Sequence, residues 1–248
     1  MIKHSFVFLE KISQAKEKSL WKQGIKDWPS FLKIEKIKSI PPLKKSYYDR
    51  KIQEAQQALL DGNSAYFVGK LAAKEMWRLY DYFKEECGYL DVEIDSYGKI
   101  VVVGISHYYS TNFFVQGANL EKNILEKELQ KYKLLVTFNG AAFDLPRLRR
   151  QFGLSVQVPH IDLKPLCVNV GMKGGLKEIE KQLNLRRPMH LYGNPVELWK
   201  AFHASGDREY LELLLEYNRE DCENLKAVME KVYQKLKSDL CGYHFLSI

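Results

Sequence analysis

Four acids and a tyrosine in the C-terminal two-thirds of the sequence are candidates for a site that holds cations. They are Asp91, Glu93, Asp144, Tyr217 and Asp221. Four carboxylates brought together would repel one another unless cations neutralised them. Hard oxygen ligands of this kind suit Mg²⁺ or Mn²⁺ rather than Zn²⁺. We therefore expect a site for divalent cations, provided that the fold gathers these positions.

Asp221 gives the strongest of these signals, because it interrupts the buried face of a predicted helix. Apolar residues recur every three or four positions along this helix, at Leu211, Leu214, Leu215, Leu225, Val228, Met229 and Val232. Tyr217 and Asp221 occupy the gap in this series, one above the other on the same face. Aspartate is a poor residue for the middle of a helix, and burying its charge without a partner is costly.

Three arrangements would resolve a buried Asp221: a salt bridge to a buried Arg or Lys, a protonated acid, or a bound cation. The sequence names no single Arg or Lys as the partner. We favour the cation, because Asp91, Glu93 and Asp144 already stand at the ends of predicted strands and helices.

The other acids also have simpler explanations. Asp91 and Glu93 alternate with apolar residues, so a strand here would turn both acids to one side, and that side could be a solvated face. Asp144 follows Asn139-Gly140 and stands at the start of a predicted helix, where aspartate is a preferred N-cap. A helix start is also where strand ends converge and where ligands bind in α/β sheets.

The elements that must position these residues begin near residue 88. Predicted strands cover residues 89–95, 99–109, 112–116 and 133–138, and an extended segment covers 158–166. Predicted helices cover residues 119–132, 144–152 and 175–183, followed by the long helix that contains Asp221. Three antiparallel strands followed by alternating strands and helices predict an α/β fold with a mixed sheet flanked by helices.

The chain before residue 88 reads as helices without strands. Helical periodicity is present in the segments 17–37, 47–60 and 65–86, the first of them broken at Gly24 and Pro29. We interpret residues 1–87 as an N-terminal all-α module and residues 88–248 as the domain that carries the chemistry.

Bulk properties restrict the choice of function only loosely. Among the 248 residues, 38 Lys and Arg stand against 31 Asp and Glu, and the net charge of +7 suits a polyanionic partner without requiring one. The four cysteines show no C-x-x-C spacing and no His pair has zinc-ligand spacing, so we expect a reducing compartment and no zinc site. No apolar run approaches the ~20 residues of a membrane span. We therefore predict a cytoplasmic protein without a membrane partner.

The acidic motifs, in this order, resemble those of the DEDD superfamily of 3′–5′ exonucleases, which have the RNase H-like fold. The D-x-E motif of that family matches Asp91 and Glu93, its second aspartate matches Asp144 after "FNG", and its Y-x-x-x-D motif matches Tyr217 and Asp221. The tyrosine is typical of the tyrosine-bearing (DEDDy) branch. The segments "LVTFNGAAFDLPRL", "HIDL" and "ASGDREYLELLLEYNREDCENL" are similar to a prokaryotic RNase H-like family of exonucleases. The resemblance covers residues 88–235 and implies a mixed sheet of five strands.

The same resemblance implies roles for the five residues in phosphodiester hydrolysis with two Mg²⁺ or Mn²⁺ ions. Asp91, Glu93, Asp144 and Asp221 would be the metal ligands, with Asp91 bridging both ions. The hydroxyl of Tyr217 would orient the attacking water, since a side chain with an ordinary pKa of ~10 is a poor general base at neutral pH. A core tyrosine is the alternative for Tyr217.

Four further residues are candidates for substrate binding. Ile94 stands where the family usually has threonine after its glutamate, so the contact with the terminal nucleotide departs from the family pattern. Asn139 could position that nucleotide, and Arg147 could contact a phosphate, although a solvated helix face would also explain Arg147. Lys173 precedes Gly174 at a predicted helix start that could hold a phosphate.

These observations predict a 3′–5′ exonuclease that acts on nucleic acid, with single-stranded DNA favoured over RNA. Two alternatives stay open. One is an RNA-directed or structure-specific nuclease of the same fold. The other is a non-catalytic nucleic-acid-binding module, which the departure at Ile94 motivates. The N-terminal helices would also suit a homo-oligomer, although the sequence does not establish one.

Overall fold

A single mixed sheet of five strands forms the centre of the protein. The computed structural model describes residues 1–108 and 110–245, so Tyr109 at the end of the second predicted strand and the last three residues of the predicted domain lie outside the described residues. The strands are β1 Cys87–Ile94, β2 Ile100–Ser106, β3 Thr111–Val115, β4 Leu134–Thr137 and β5 His160–Asp162. Their order in the sheet is β3-β2-β1-β4-β5.

Strand directions confirm the predicted sheet. β1 pairs antiparallel with β2, and β2 pairs antiparallel with β3. β1 also pairs parallel with β4, which pairs parallel with β5. Because the carboxyl ends of parallel strands meet at one edge of a sheet, the ends of β1, β4 and β5 lie together, and this edge is where α/β proteins place their ligands.

Helices cover both faces of the sheet. The α-helices are α1 Gln14–Lys22, α2 Trp28–Lys33, α3 Pro42–Leu60, α4 Tyr80–Phe83, α5 Lys122–Leu129, α6 Asp144–Phe152, α7 Leu163–Asn169, α8 Leu176–Gln182, α9 Pro195–Ser205 and α10 Arg208–Phe245. Short 3₁₀ helices cover Ile2–His4, Ser64–Phe67, Ala73–Leu79, Lys84–Glu86 and Met189–Tyr192. The sequence predicts α6 at its observed bounds, whereas α9 has no counterpart among the predictions.

Two predictions about the N-terminal helices are wrong. Residues 65–86 do not form one helix, because Gly69 adopts a left-handed conformation with φ +76° and the chain continues as short 3₁₀ turns and α4. Pro29 does not break a helix either. It lies in the first turn of α2, where its missing N–H costs nothing, and the carboxylate of Asp27 caps that helix by accepting from the N–H of Ser30 at 2.8 Å.

The extended segment predicted over residues 158–166 is correct only as far as Asp162. The carboxylate of Asp162 accepts a hydrogen bond from the N–H of Lys164 at 3.1 Å, which starts α7 directly after β5. An N-cap therefore converts the second half of the predicted extended segment into a helix.

The side chains of β1 divide between the two faces of the sheet. Leu90 and Val92 pack with β2, α5 and α6 in a hydrophobic cluster on one face. Cys87 and Tyr89 face the opposite way and pack in a larger cluster that includes α10 and the N-terminal helices. Period-two alternation thus places Asp91 and Glu93 on the α10 side of the sheet.

The N-terminal helices contribute most of that larger cluster. Trp28 is fully buried and donates its ring N–H to the carbonyl of Ser5 at 2.7 Å, while Trp77 and Tyr80 pack around Tyr233 of α10. Trp21, Trp28 and Trp77 are all buried in this core. In the described part of the chain, no helix is both long enough and apolar enough to cross a membrane.

Candidate metal centre

β1 presents two acids where its pairing with β4 has ended. Its parallel pairing with β4 stops at Tyr89, so Asp91 and Glu93 lie beyond the end of β4. Glu93 is only 7% exposed, and Asp91 is half-buried. The pairing register with β2 shifts between Glu93 and Ile94, a β-bulge of the kind often found beside functional sites. A solvated acidic face, the simpler explanation of this strand, does not fit the burial of Glu93.

Helix α10 crosses β1 and β2 and brings a third acid to the same point. Asp221 is 8% exposed. One turn earlier, the side-chain amide of Asn218 donates to Oδ2 of Asp91 at 2.8 Å. The close approach of the helix depends on Gly104, which pairs with Asp91 across β1 and β2. A Cβ at position 104 would collide with the Asn218 side chain and lie 3.0 Å from Sγ of Cys222.

Asp91, Glu93 and Asp221 converge closely enough to share an ion. One carboxylate oxygen from each lies within 4.8 Å of those of the other two. Burial raises the pKa of Glu93 to about 8, with the charge of Asp221 adding to the effect. Burial also raises the pKa of Asp91 well above its ordinary value, and the charges of Glu93, Asp221 and Asp144 raise it further. The raised pKa values of Asp91 and Glu93 show that the positive charge nearby does not offset burial and the neighbouring carboxylates.

Asp144 lies beside this triad without joining the 4.8 Å group. It is the first residue of α6, one position after the N-cap residue Phe143, and is 3% exposed. Burial raises its pKa to about 7. Its charge contributes to the raised pKa values of Asp91 and Glu93, so the four acids form one electrostatic unit.

The loop that carries Asp144 to the site is held by Asp162 at the end of β5. The Asp162 carboxylate accepts from the N–H of Asn139 at 2.7 Å and from the N–H of Ala141 at 3.1 Å. Asn139 adopts φ +65°, and a Cβ at Gly140 would collide with Thr137. Neighbouring strand ends therefore fix the β4–α6 loop, and Asn139 starts a tight turn that leads into Asp144.

Arg187, which the sequence does not single out, supplies a buried positive charge to the centre. Its Nε and Nη2 donate to the two oxygens of Glu180 at 3.0 and 2.8 Å, and Nη2 also donates to Oδ1 of Asp221. The Arg187 side chain is 1% exposed, and its buried Nη1 has no hydrogen-bond partner among the residues that the structure describes. Asp221 therefore has the salt bridge that competes with a cation, and it lies within the acidic triad as well.

Arg187 moderates Asp221 without neutralising the site. Burial raises the pKa of Asp221 to about 6, although the guanidinium of Arg187 partly offsets this rise. Glu180, which is 2% exposed, shares the same guanidinium. One arginine thus faces two carboxylates of its own. The charge of Lys177 also lowers the pKa values of Asp221 and Glu93, yet those of Asp91 and Glu93 stay raised.

Tyr217 lies one turn from Asp221 and is 8% exposed. The ammonium of Lys177 lies 4.6 Å from the centre of its ring, and the guanidinium of Arg187 lies 5.4 Å from it. Burial raises the pKa of the Tyr217 hydroxyl, and the charges of Asp221 and Glu93 raise it further. The hydroxyl therefore keeps its proton at neutral pH and can act only as a hydrogen-bonding group.

The structure places the predicted substrate-binding residues at different distances from this centre. Ile94 packs against the hydrophobic cluster on the far face of the sheet. Arg147 lies half-buried on α6, donates to the carbonyl of Phe143 at 3.2 Å and lowers the pKa of Asp144. Lys173 is exposed before α8, with its carbonyl bonded to Gln182. Arg147 acts on the centre through the charge of Asp144, and Asn139 lies in the loop that leads to Asp144. The binding roles of all four residues stay predictions.

The donor set fits a hard divalent cation. Carboxylate oxygens are the ligands that Mg²⁺ and Mn²⁺ prefer, and buried carboxylates with raised pKa values gain most from an added positive charge. The residues that would hold such a cation are Asp91, Glu93 and Asp221, with Asp144 beside them.

Comparison with known families agrees with this geometry. The family model RNase_H_2, of the RNase_H superfamily, matches residues 88–233, which is more than half of the chain. The chain belongs to the RNase H superfamily. No curated protein matches it. A nuclease fold with an acidic cluster points to phosphodiester hydrolysis on a nucleic acid. The matched region contains the sheet except for its first residue, Cys87, together with α10 through Tyr233 and every acid of the centre.

Proposed function

We propose that the protein is a Mg²⁺- or Mn²⁺-dependent 3′–5′ exonuclease of the tyrosine-bearing DEDD branch, with single-stranded DNA as its favoured substrate. One observation carries the proposal. The carboxylates of Asp91, Glu93 and Asp221 converge within 4.8 Å in an RNase H superfamily domain, with Tyr217 one turn from Asp221 on the same helix. This combination matches the order of acids and tyrosine in that branch.

Each side chain has a role that follows from its position. Asp91, Glu93 and Asp221 would hold the cations, and Asp144 would complete the set from the start of α6. Bound cations supply neutralisation of the phosphate charge and a lowered pKa for the attacking water. Asn218 fixes one oxygen of Asp91, which leaves the other oxygen for a cation. The hydrogen bond from the Arg187 guanidinium to Oδ1 restricts the orientation of the Asp221 carboxylate.

Tyr217 orients the attacking water and does not remove its proton. Its raised pKa keeps the hydroxyl protonated, so it is a hydrogen-bond donor or acceptor at neutral pH. The ammonium of Lys177 and the guanidinium of Arg187 lie near its ring and help to hold the ring at the acidic centre. We therefore expect Tyr217→Phe to lower the turnover rate without abolishing cation binding.

The test is hydrolysis of single-stranded oligonucleotides labelled at either end. We expect a 5′-labelled strand to give a ladder of products shortened one nucleotide at a time, with Mg²⁺ or Mn²⁺ present and not with EDTA. Asp221→Asn should reduce the rate by ~100-fold or more, because a cation ligand stabilises the transition state by several kcal/mol. The control is Glu230→Gln, which changes an exposed acid on the same helix and should leave the rate unchanged.

A non-catalytic nucleic-acid-binding module is the second candidate, and the Arg187–Asp221 ion pair favours it. An arginine that occupied Asp221 permanently would leave too few ligands for chemistry. This candidate predicts salt-sensitive binding of the same oligonucleotides with no product that depends on a metal. The labelled strands therefore separate the two candidates in one experiment, and matching them with RNA strands identifies an RNA-directed nuclease.

A further inference from the structure

The positive charge of the protein is concentrated in the part of the chain that lies outside the RNase H match. Residues 1–87 contain 17 Lys and Arg against 11 Asp and Glu, a net charge of +6, whereas residues 88–248 contain 21 against 20, a net charge of +1. The buried charges among residues 1–87 cancel, since Lys45 and Arg78 balance Glu17 and Glu75. The excess of +6 therefore lies on the surface of the N-terminal helices.

Part of this charge surrounds a groove that also contains aromatic rings. The groove has a volume of about 380 Å³, which lies within the ~300–1,000 Å³ typical of ligand sites. We call it the N-terminal groove and define it by Lys11, Tyr47, Lys51, Tyr66 and Lys70. Its two tyrosines come from α3 and from the 3₁₀ helix Ser64–Phe67.

Both tyrosine rings are held in place, and the ammonium group of a lysine lies over each ring. The Tyr47 hydroxyl donates to Glu10 at 2.8 Å, and the Tyr66 hydroxyl donates to the carbonyl of Lys51 at 3.2 Å. The Lys51 ammonium lies 5.7 Å from the centre of the Tyr47 ring, and the Lys70 ammonium lies 4.0 Å from that of Tyr66. Each ring is thus fixed at its hydroxyl end and accompanied by a positive charge.

Positive charge exceeds negative charge at the groove. Arg50, 5.7 Å from the Tyr47 ring centre, adds to the three lysines. The acids beside them are Glu10 and Glu54, and Glu54 is paired with Lys51 at 2.7 Å. Four cations against two carboxylates leave an excess that attracts an anion.

Basic side chains that alternate with ordered tyrosines are suited to one class of polyanion. Lys and Arg contact the phosphates of a single strand, and aromatic rings stack on its bases without preference for sequence. A purely inorganic anion would use the charges and leave the rings without a role. The occupant that uses both features is a single-stranded nucleic acid.

We propose that the N-terminal groove binds a single-stranded nucleic acid as a second contact, separate from the metal centre. The inference rests on the proposed function only in that the chain acts on nucleic acid. It gives the N-terminal helices a role in retaining the strand that the RNase H domain hydrolyses.

Binding is measured without chemistry, by fluorescence anisotropy of a labelled oligo-dT of twenty nucleotides in EDTA. The test variant is Lys51→Gln combined with Lys70→Gln, and the control is Lys122→Gln combined with Lys127→Gln, which removes two exposed charges from α5. We expect the test variant to bind ~10-fold more weakly and its salt slope to fall by ~1.4, which corresponds to two lost phosphate contacts. The control should bind as the wild type does.

Replacement of one tyrosine separates stacking from charge. Tyr47→Phe keeps the ring and should bind like the wild type, whereas Tyr47→Leu should bind at least ~5-fold more weakly because one stacked base is lost. Circular dichroism melting of each variant establishes that it is folded.

The groove and the exonuclease can fail separately. Weaker binding by the test variant, together with no metal-dependent hydrolysis by the wild type, would support the groove and refute the exonuclease. Hydrolysis of a trinucleotide at the wild-type rate by the test variant would support a contact separate from the metal centre. The proposal is overturned if the test variant and its control bind oligo-dT with the same affinity and salt slope, or if Tyr47→Leu binds as tightly as Tyr47→Phe.

Discussion

Asp221 accepts a hydrogen bond from the guanidinium of Arg187, and it also lies in the acidic triad with Asp91 and Glu93 that would hold a cation. A salt bridge and a cation were alternatives at the level of sequence, and the structure permits both. The reason is the number of oxygens, since the hydrogen bond from Arg187 occupies only Oδ1 of Asp221. A carboxylate fixed through one oxygen can still offer the other to a cation.

Removal of Arg187 should destabilise the metal-free protein. Arg187→Met leaves Glu180 and Asp221 buried without their counter-charge, and breaking a buried ion pair typically costs ~3–5 kcal/mol. For a chain of this size we expect Tm in EDTA to fall by about 10 °C. Thermal denaturation followed by circular dichroism measures this, and added Mg²⁺ should restore part of the loss because a cation supplies charge to the same carboxylates.

The control for Arg187 is its neighbour Arg186, which is exposed. Arg186→Met makes the same chemical change outside the acidic centre and should leave Tm unaltered. Equal melting of the two variants in EDTA would show that Arg187 does not stabilise the centre.

The raised pKa of Glu93 predicts how the stability of the metal-free protein depends on pH. In the unfolded chain a glutamate loses its proton near pH ~4.3. In the folded chain burial and the charge of Asp221 keep the proton on Glu93 up to about pH 8. Between these values the unfolded state has released a proton that the folded state keeps, so stability falls as the pH rises.

Calorimetry in EDTA at pH 5 and at pH 8.5 measures this dependence. We expect the wild type to have a Tm lower by on the order of 5 °C at the higher pH, and Glu93→Gln, which has no proton to lose, to show a smaller difference. Saturating Mg²⁺ should remove most of the difference, since cations favour the ionised carboxylates. A wild-type Tm that rises between pH 5 and pH 8.5 would contradict a raised pKa of Glu93.

Some residues of the centre could be predicted from the sequence and others could not. Asp221 was predictable because it interrupts an apolar face, and Asp91 with Glu93 because they alternate on a strand. Asn218 lies on the same helix face, four positions after Leu214, and its polarity could have been noticed in the same way. Arg187 gave no comparable signal, since it stands 34 positions from Asp221 outside any periodic segment.

At the scale of elements, the sequence predicts the bounds of a helix correctly where residues at its own two ends determine them. α6 begins and ends as predicted, with a left-handed Gly153 as its C-cap. The prediction of one helix over residues 65–86 is wrong because the spacing of its apolar residues reflects burial from several sides. Burial alone does not favour an α-helix over 3₁₀ turns. The prediction of extended structure over residues 163–166 is wrong because Asp162 caps a helix that begins at Leu163.

Gly104 controls how closely α10 approaches the sheet, so its replacement tests the geometry of the centre. In Gly104→Ala the added methyl group meets Asn218 and Cys222, and relief of the collision moves α10 away from β1. Overpacking of this kind typically costs ~1–3 kcal/mol. Because the movement separates Asp221 from Asp91, we expect the affinity for Mn²⁺, measured by isothermal titration calorimetry, to fall by ~10-fold or more.

The matched control is Gly193→Ala, since a Cβ at Gly193 would meet no atom within 4 Å and its φ of −67° suits alanine. The control should keep the wild-type Tm and the wild-type affinity for Mn²⁺. If Gly104→Ala bound Mn²⁺ as tightly as this control, the approach of α10 would not determine the site.

At the scale of the whole molecule, the N-terminal helices and the RNase H domain share one hydrophobic cluster. Trp77 and Tyr80 contact Tyr233 of α10, and the cluster continues through Tyr89 of β1 to the helices near the N-terminus. The division at residue 88 rests on the change from predicted helices alone to predicted strands and helices. It stays a prediction about domain organisation. Sequence texture could not reveal the shared cluster, because contacts between segments far apart in the chain leave no local periodicity.

Arg78 provides a test of how far this sharing extends. It is fully buried and donates to Glu75 at 2.7 Å and to both Ser5 and Glu17 at 3.2 Å, so it joins three separate N-terminal segments. Arg78→Met leaves two buried carboxylates without their counter-charge and should cost ~3–5 kcal/mol. Because the N-terminal helices share their core with α10 and the sheet, we expect the whole protein to melt at a lower temperature in a single calorimetric transition.

The control is Arg50→Met, an exposed arginine of the same region, which should melt as the wild type does. If Arg78→Met instead gave two transitions, with the upper one unshifted, the RNase H domain would be stable without the N-terminal helices and the cluster would contribute little across residue 88. A single shifted transition requires the opposite, because one cooperative unit cannot lose part of its core and retain its Tm.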